Sequence, residues 1–309
     1  MFLASLLLLF SFPLAFGASR FPIIAPANWP MQVIRSEADL VVLPVTVTDR
    51  KGNFVSGLEQ NDFQVYEDGH PQPISFFNHT DIPVTVGLVV DCSGSMLPNR
   101  GEVVQAAKDF LTSSNPQDQV FVVNFNEKIS LGLPPDVPFT NNVAQLEKAV
   151  LNGPRTGLTA LYDAIALGLK HLAFGTANRK ALVIISDGGD NASIEKFHQV
   201  ENLAQHNNAI IYAIGILSDI ESDVNPGVLR KVAKSTGGEA YSPSSAQELP
   251  AISQQIAHDL REMYTIAYVP TNKAHDGTYR KIRVLAHAPG HNGLVIRTRT
   301  GYFAPSGKA

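Results

Sequence analysis

Along its central portion the chain alternates short, almost uninterrupted apolar runs with longer stretches in which apolar residues recur at every third or fourth position. The runs are 84–90 (VTVGLVV), 120–125 (VFVVNF), 181–185 (ALVII) and 209–214 (AIIYAI). Strands buried on both faces read this way, because neither face needs polar residues for water. Between them, Val103, Val104, Ala106, Ala107, Phe110 and Leu111, then 160–172, 194–206 and 228–233, each place one apolar stripe at helical spacing. Strands alternating with helices predict an α/β domain built on a doubly wound, mostly parallel sheet. The ligand site of such a sheet lies at the carboxyl ends of its strands.

The flanks have a different rhythm. Residues 39–48 (DLVVLPVTVT) alternate and are rich in Val and Thr, 49–53 form a turn, 63–67 run into Asp68-Gly69 as a hairpin would, and 74–77 give one more short strand. After a helical stretch over 246–261, strands return at 264–269, 281–287 and 294–298, divided by Asp276-Gly277 and Pro289-Gly290 turns. Each flank has too few strands to bury a face alone. The two are therefore expected to pair into one small β-sandwich, with an N-terminal part at 36–80 and a C-terminal part at 263–305. The α/β domain, 83–262, is then an insertion in it.

Ahead of these elements, residues 18–35 contain prolines, lack periodicity and read as a linker. Residues 1–17 (MFLASLLLLFSFPLAFG) form an apolar leader of signal-peptide length, with small residues at Ala15 and Gly17 in the relationship a signal peptidase reads. Export to the periplasm or the exterior, with cleavage after Gly17, is the expectation. Later apolar runs are strand-sized, so no membrane span is expected after cleavage. Composition adds exclusions rather than identity. With 44% hydrophobic and 17% charged residues the chain can bury a large core, and a net charge of -4 without any Lys/Arg cluster argues against nucleic acid as a partner. The single cysteine, Cys92, cannot close an intramolecular disulfide and reads as a small buried hydrophobe.

The chemistry gathers where the predicted strands end. The first apolar run passes into Asp91-Cys92-Ser93-Gly94-Ser95-Met96, which sets a carboxylate and two hydroxyls on alternate residues of a loop that Gly94 allows to bend. Oxygen ligands with few carboxylates suit Mg²⁺. Taken alone, the same string reads equally well as a turn that caps the next helix. A second carboxylate, Asp187, follows the strand at 181–185 directly, and Thr159 stands just before a helical stretch, where by itself it reads as an N-cap. Asp190 and Asn191 read as turn or cap residues.

Together these residues carry a family resemblance. Asp91, Ser93 and Ser95 match the DxSxS motif, Thr159 the isolated threonine and Asp187 the later aspartate of the metal-ion-dependent adhesion site of von Willebrand factor type A domains, in the family's order. The stretch that resembles the family runs from about Pro83 to Glu262. Short strings in the flanks, Asp62 to Gly69 and Tyr302-Phe303-Ala304-Pro305, resemble exported Acidobacteria-type proteins that carry such a domain. The resemblance implies that Asp91, Ser93, Ser95, Thr159 and Asp187 hold a divalent cation, Mg²⁺ or else Mn²⁺ or Ca²⁺, directly or through water. It also implies an open coordination position for a Glu or Asp of a partner protein. Two carboxylates leave a dication undersatisfied, so a third from outside is attracted. Adhesion or complex assembly follows, without turnover. The alternatives are an interaction scaffold of the same fold that needs no metal, and a hydrolase. For the latter, neither Ser93 nor Ser95 has the glycine two residues before it that a nucleophile elbow requires, and no His-Glu-x-x-His pattern or phosphate-binding loop is present.

The leader generates the first prediction. N-terminal sequencing of the protein recovered from the envelope or medium of producing cells is expected to begin at Ala18. Intact Met1 on cytoplasmic protein would overturn the expectation of export.

Overall fold

The computed structural model describes residues 40–216, 225–288, 290 and 293–307. The leader, its cleavage site and the linker at 18–35 lie outside the described residues. A six-stranded sheet has the order β10-β9-β8-β5-β6-β7. Its core strands are β5 (Val84–Asp91), β6 (Gln119–Phe125), β8 (Arg179–Ser186) and β9 (Ile210–Gly215), all mutually parallel. The short β10 (Ala240–Tyr241) is parallel to β9, and β7 (Ile129–Leu131) closes the other edge antiparallel to β6. All eight residues of β5 are buried, as its unbroken apolar run requires. Packing on it is close: a Cβ at Gly87 would stand 2.4 Å from the Phe121 ring and 2.5 Å from Leu182.

Helices cover the sheet in two groups. α1 (Arg100–Ser113) packs with α2 (Val143–Leu151) and α6 (Leu249–Glu262), while α3 (Leu161–Leu172) packs with α4 (Phe197–His206), which packs with α5 (Pro226–Thr236). α2 is absent from the periodicity reading because nine residues give barely two turns of pattern; Asn142 starts it by accepting from the Gln145 amide at 3.1 Å. Likewise β7 and β10 have three and two residues, too few to show a period. Among the described residues, no helix is long and apolar enough to cross a membrane.

The flanking segments pair as expected. One four-stranded sheet has the order β13-β1-β11-β4, from β1 (Val41–Thr48), β4 (Ile74–Asn78), β11 (Tyr264–Tyr268) and β13 (Val295–Arg297). The other, β14-β12-β2-β3, joins β2 (Phe63–Glu67) and β3 (His70–Gln72) to β12 (Tyr279–Ala286) and β14 (Gly301–Phe303). Leu43, Val45, Phe63, Val65, Ile266 and Val284 share one core between them. The β2–β3 turn carries Asp68 and Gly69 at φ 48° and 84°, the left-handed pair that a two-residue hairpin needs. Each sheet mixes strands from before and after the α/β domain, which is thus an insertion.

A buried polar cluster ties the two layers of the molecule together. The fully buried Asp259 of α6 accepts from Thr46 Oγ1 of β1 at 2.9 Å, Tyr212 OH of β9 at 2.7 Å and Arg297 Nη2 of β13 at 2.5 Å. Burial works against the Arg297 charge, but Asp259, Tyr212 and Glu239 outweigh it and hold the guanidinium more firmly protonated than usual. From β8, Arg179 donates to the carbonyls of Leu260 and Met263 and to Thr265 Oγ1, fixing the end of α6 and the start of β11. Removing one partner of a buried charge pair leaves the other uncompensated. Asp259→Ala is therefore expected to cost about 3–5 kcal/mol in urea unfolding, against about 1 kcal/mol for Thr46→Val; equal losses would contradict the role assigned to Asp259.

Candidate metal centre

Parallel pairing sets the positions of the candidate ligands. β5 and β8 are in register from Val84↔Arg179 to Val90↔Ile185, so the two strands end level and deliver Asp91 and the Ser186-Asp187 pair to one edge. Asp91 is buried and accepts from the Ser93 amide at 2.8 Å on Oδ1 and from Ser186 Oγ at 2.6 Å on Oδ2. The Ser93 and Ser95 hydroxyls lie 3.1 Å apart, and Ser95 Oγ donates to Asp187 Oδ2 at 2.6 Å. Asp187 Oδ1 accepts from the Gly189 amide at 3.0 Å. Four of the five candidates thus form one continuous hydrogen-bonded chain.

Thr159 stands apart from that chain. It is buried, its hydroxyl makes no hydrogen bond to the other four residues, and its backbone is what the neighbouring loop grips: its amide donates to Asn191 Oδ1 at 2.8 Å, and its carbonyl accepts from the Asn191 and Ala192 amides. The N-cap reading of Thr159 does not hold, because the first-turn amides of α3 are met from elsewhere. Asp190 Oδ1 accepts from the Tyr162 amide at 3.3 Å and Ser193 Oγ from the Asp163 amide at 3.2 Å. Asp190 and Asn191 therefore serve as cap and clasp, and they bind the loop after β8 to the start of α3.

Electrostatically the site is poor in compensation. Burial pushes the Asp91 carboxyl up from 3.8 to about 6; hydrogen bonds from Ser186 and Ser93 offset part of this, and Asp187 adds to it. Cys92, beside it, is a free, buried thiol whose burial raises it to about 11, which leaves it unreactive at neutral pH. Among the described residues, no group of three or more His, Cys, Asp or Glu is placed to hold a metal. Any ion here depends on hydroxyls as well as carboxylates. Two carboxylates and three hydroxyls, with buried hydroxyls now bonding one another, are a donor set suited to a hard divalent cation.

Several residues that support the site have no sequence signature. Ser186 orients Asp91 and itself accepts from the Gly188 amide at 3.0 Å. Arg100 donates to the carbonyls of Leu151, Gly153 and Pro154, pinning the loop that leads to Thr159. Asn126 Nδ2 donates to the Thr156 carbonyl at 2.6 Å and Glu127 accepts from the Leu158 amide at 3.0 Å. Gly157 takes φ 131°, a backbone conformation that other residues rarely adopt, which is why glycine is needed there. Only the position of Ser186, immediately before Asp187 at a strand end, could have suggested its role.

Comparison with known proteins agrees with this architecture. The family description of the von Willebrand factor type A domain matches residues 85–255. An uncharacterized protein of Borreliella burgdorferi is 28% identical over an alignment 182 residues long, gaps included, which covers 52% of this chain and 51% of that protein, so the chain spans about half the length of this relative. Among solved structures, a von Willebrand factor type A protein from Catenulispora acidiphila superimposes with a TM-score of 0.52 at 15% identity, over 79% of this chain and 75% of that one. Proximal thread matrix protein 1 from the mussel byssus, solved with a zinc-occupied MIDAS motif, gives 0.50 at 17% identity over 62% and 50%. These structures share the fold. Because the family match runs through more than half of the 309 residues and takes in the whole carboxyl edge on which Asp91, Ser93, Ser95, Thr159 and Asp187 stand, the chain belongs to the von Willebrand factor type A domain family.

Proposed function

We propose that the protein is an exported adhesion or complex-assembly module, which captures an Asp or Glu side chain of a partner protein through a divalent cation held at Asp91, Ser93, Ser95, Thr159 and Asp187. The observation that carries this reading is the hydrogen-bonded chain Asp91–Ser93–Ser95–Asp187, whose oxygens converge on the carboxyl edge with two carboxylates and, among the described residues, no cationic side chain bonded to them. The bound ion would supply a positive charge that the two carboxylates match only formally, and an incoming carboxylate would complete it. The zinc-occupied motif of the mussel protein supports a metal in this fold, with Mg²⁺ or Mn²⁺ preferred here because the donors are all oxygen. Binding without turnover fits the serines, neither of which has a histidine among its hydrogen-bond partners. The apolar leader supports export.

Asp91 sets the pH dependence. Its folded value, about 6, lies above the ordinary 3.8, so the metal-free fold favours the protonated form and loses that contribution as pH rises through about 6. A cation needs the carboxylate, and its affinity should therefore rise over the same interval. Calorimetric titration with Mn²⁺ is expected to show tighter binding at pH 7.5 than at pH 5 and no binding to Asp91→Asn, which preserves the shape of the site. Ser186→Ala, which frees Asp91 from its orienting hydrogen bond, is expected to weaken binding about 10–100-fold. Wild-type affinity in folded Asp91→Asn would refute the site.

A further inference from the structure

The amino edge of the six-stranded sheet, opposite the candidate metal centre, carries a second feature. There the end of α4 meets the start of β1 and the segment entering β14, around a cleft of about 210 Å³ lined by Leu40, Val42, Gln205, Arg299, Tyr302 and Phe303 among others. Its walls mix apolar side chains with the polar ones of Gln205, His206 and Asn208. Leu40 and Val42 are 49% and 38% exposed, and the Phe303 ring stacks on His206 at 5.7 Å and 9°.

Arg299 sits at the back of this cleft with only 7% of its surface exposed. Its three nitrogens donate to neutral oxygens: Nε to the Gly301 carbonyl at 2.9 Å, Nη2 to the Gln205 carbonyl at 3.3 Å, and Nη1 to Asn208 Oδ1. No carboxylate among the described residues lies within ion-pair distance of it, whereas the half-buried Arg297 and the buried Arg280 have Asp259 at 2.5 Å and Asp276 at 3.0 Å. The carbonyl end of α4 offsets about half a charge, and the Tyr302 ring, 5.7 Å away, adds a weaker cation–π contact. A buried cation is normally paired. Of the five N–H groups of a guanidinium, three are engaged here. Gln205, which also lines the cleft, has a side-chain oxygen, Oε1, that is sealed from solvent and has no donor among the described residues.

We propose that this cleft binds a small organic acid that carries one carboxylate and a neighbouring hydroxyl on an aromatic or branched apolar body. The carboxylate pairs with the unused N–H groups of Arg299, the hydroxyl donates to Gln205 Oε1 once that side chain turns toward the ligand, and the body lies against Leu40, Val42, Tyr302 and Phe303. None of these residues belongs to the metal set, so the two sites are independent in composition.

The probe is 3-phenyllactate, compared with its primary amide, by titration calorimetry on the wild-type protein and on Val42→Glu. That variant keeps Arg299 and its structural hydrogen bonds, and it introduces a carboxylate at an exposed position of the cleft wall. Saturable binding of the acid is expected, with the amide weaker by about tenfold or more, as loss of one charge-assisted hydrogen bond implies. Val42→Glu should remain folded by circular dichroism and bind the acid at least about tenfold more weakly. Equal binding of acid and amide, wild-type affinity in folded Val42→Glu, or no heat with the acid at millimolar concentration would each overturn the proposal.

Discussion

A carboxylate is held at the end of a strand that is buried along its whole length, and most of the site follows from that constraint. β5 is flanked by β6 and β8 and roofed on both faces, so Asp91 keeps only 3% of its surface in water and is satisfied mainly by its neighbours. Its two oxygens are met by the Ser93 amide and the Ser186 hydroxyl, and the pressure of burial remains visible in a carboxyl raised to about 6. Ser93 and Ser95 then bond each other, and Ser95 bonds Asp187. The arrangement is a polar network short of positive charge at an edge where a parallel sheet leaves room for ligands.

The same sheet is fastened to the sandwich at its other layer. Asp259 collects donors from α/β and sandwich strands alike, and Arg179 grips the end of α6 and the start of β11. The insertion is consequently held through buried charge rather than through its two chain crossings alone. Arg299 extends the same logic on the far side of α4, but it reaches carbonyls where Arg297 reaches a carboxylate. That difference is what separates a structural clasp from a cleft with charge to spare.

Much of this was legible in the sequence, for physical reasons that differ between elements. Strands buried on both faces advertise themselves as apolar runs, which made β5, β6, β8 and β9 readable, and the Asp68-Gly69 pair announced its hairpin because few residues other than Gly, Asn and Asp tolerate positive φ. Asp91, Ser93, Ser95 and Asp187 were readable because alternation on one loop and adjacency to a strand end are local facts. What escaped was set by tertiary contact. α2 is too short for its period to stand out, the clasp of Asn191 on the Thr159 backbone joins loops 32 residues apart, and Arg100 reaches more than 50 residues along the chain to pin the loop before Thr159. Thr159 itself read as a cap because its position before α3 is local, while the residues that cap α3, Asp190 and Ser193, arrive from another loop.

Anomalous diffraction from crystals of the protein grown with Mn²⁺ tests the central claim most directly, since it locates the ion instead of inferring it from heat or activity. The account predicts one strong peak at the carboxyl edge of the six-stranded sheet, within coordination distance of oxygens from Asp91, Ser93 and Ser95 and reaching Thr159 and Asp187 directly or through water. A well-ordered edge without a peak at millimolar Mn²⁺, or a peak bound by other residues, would contradict it.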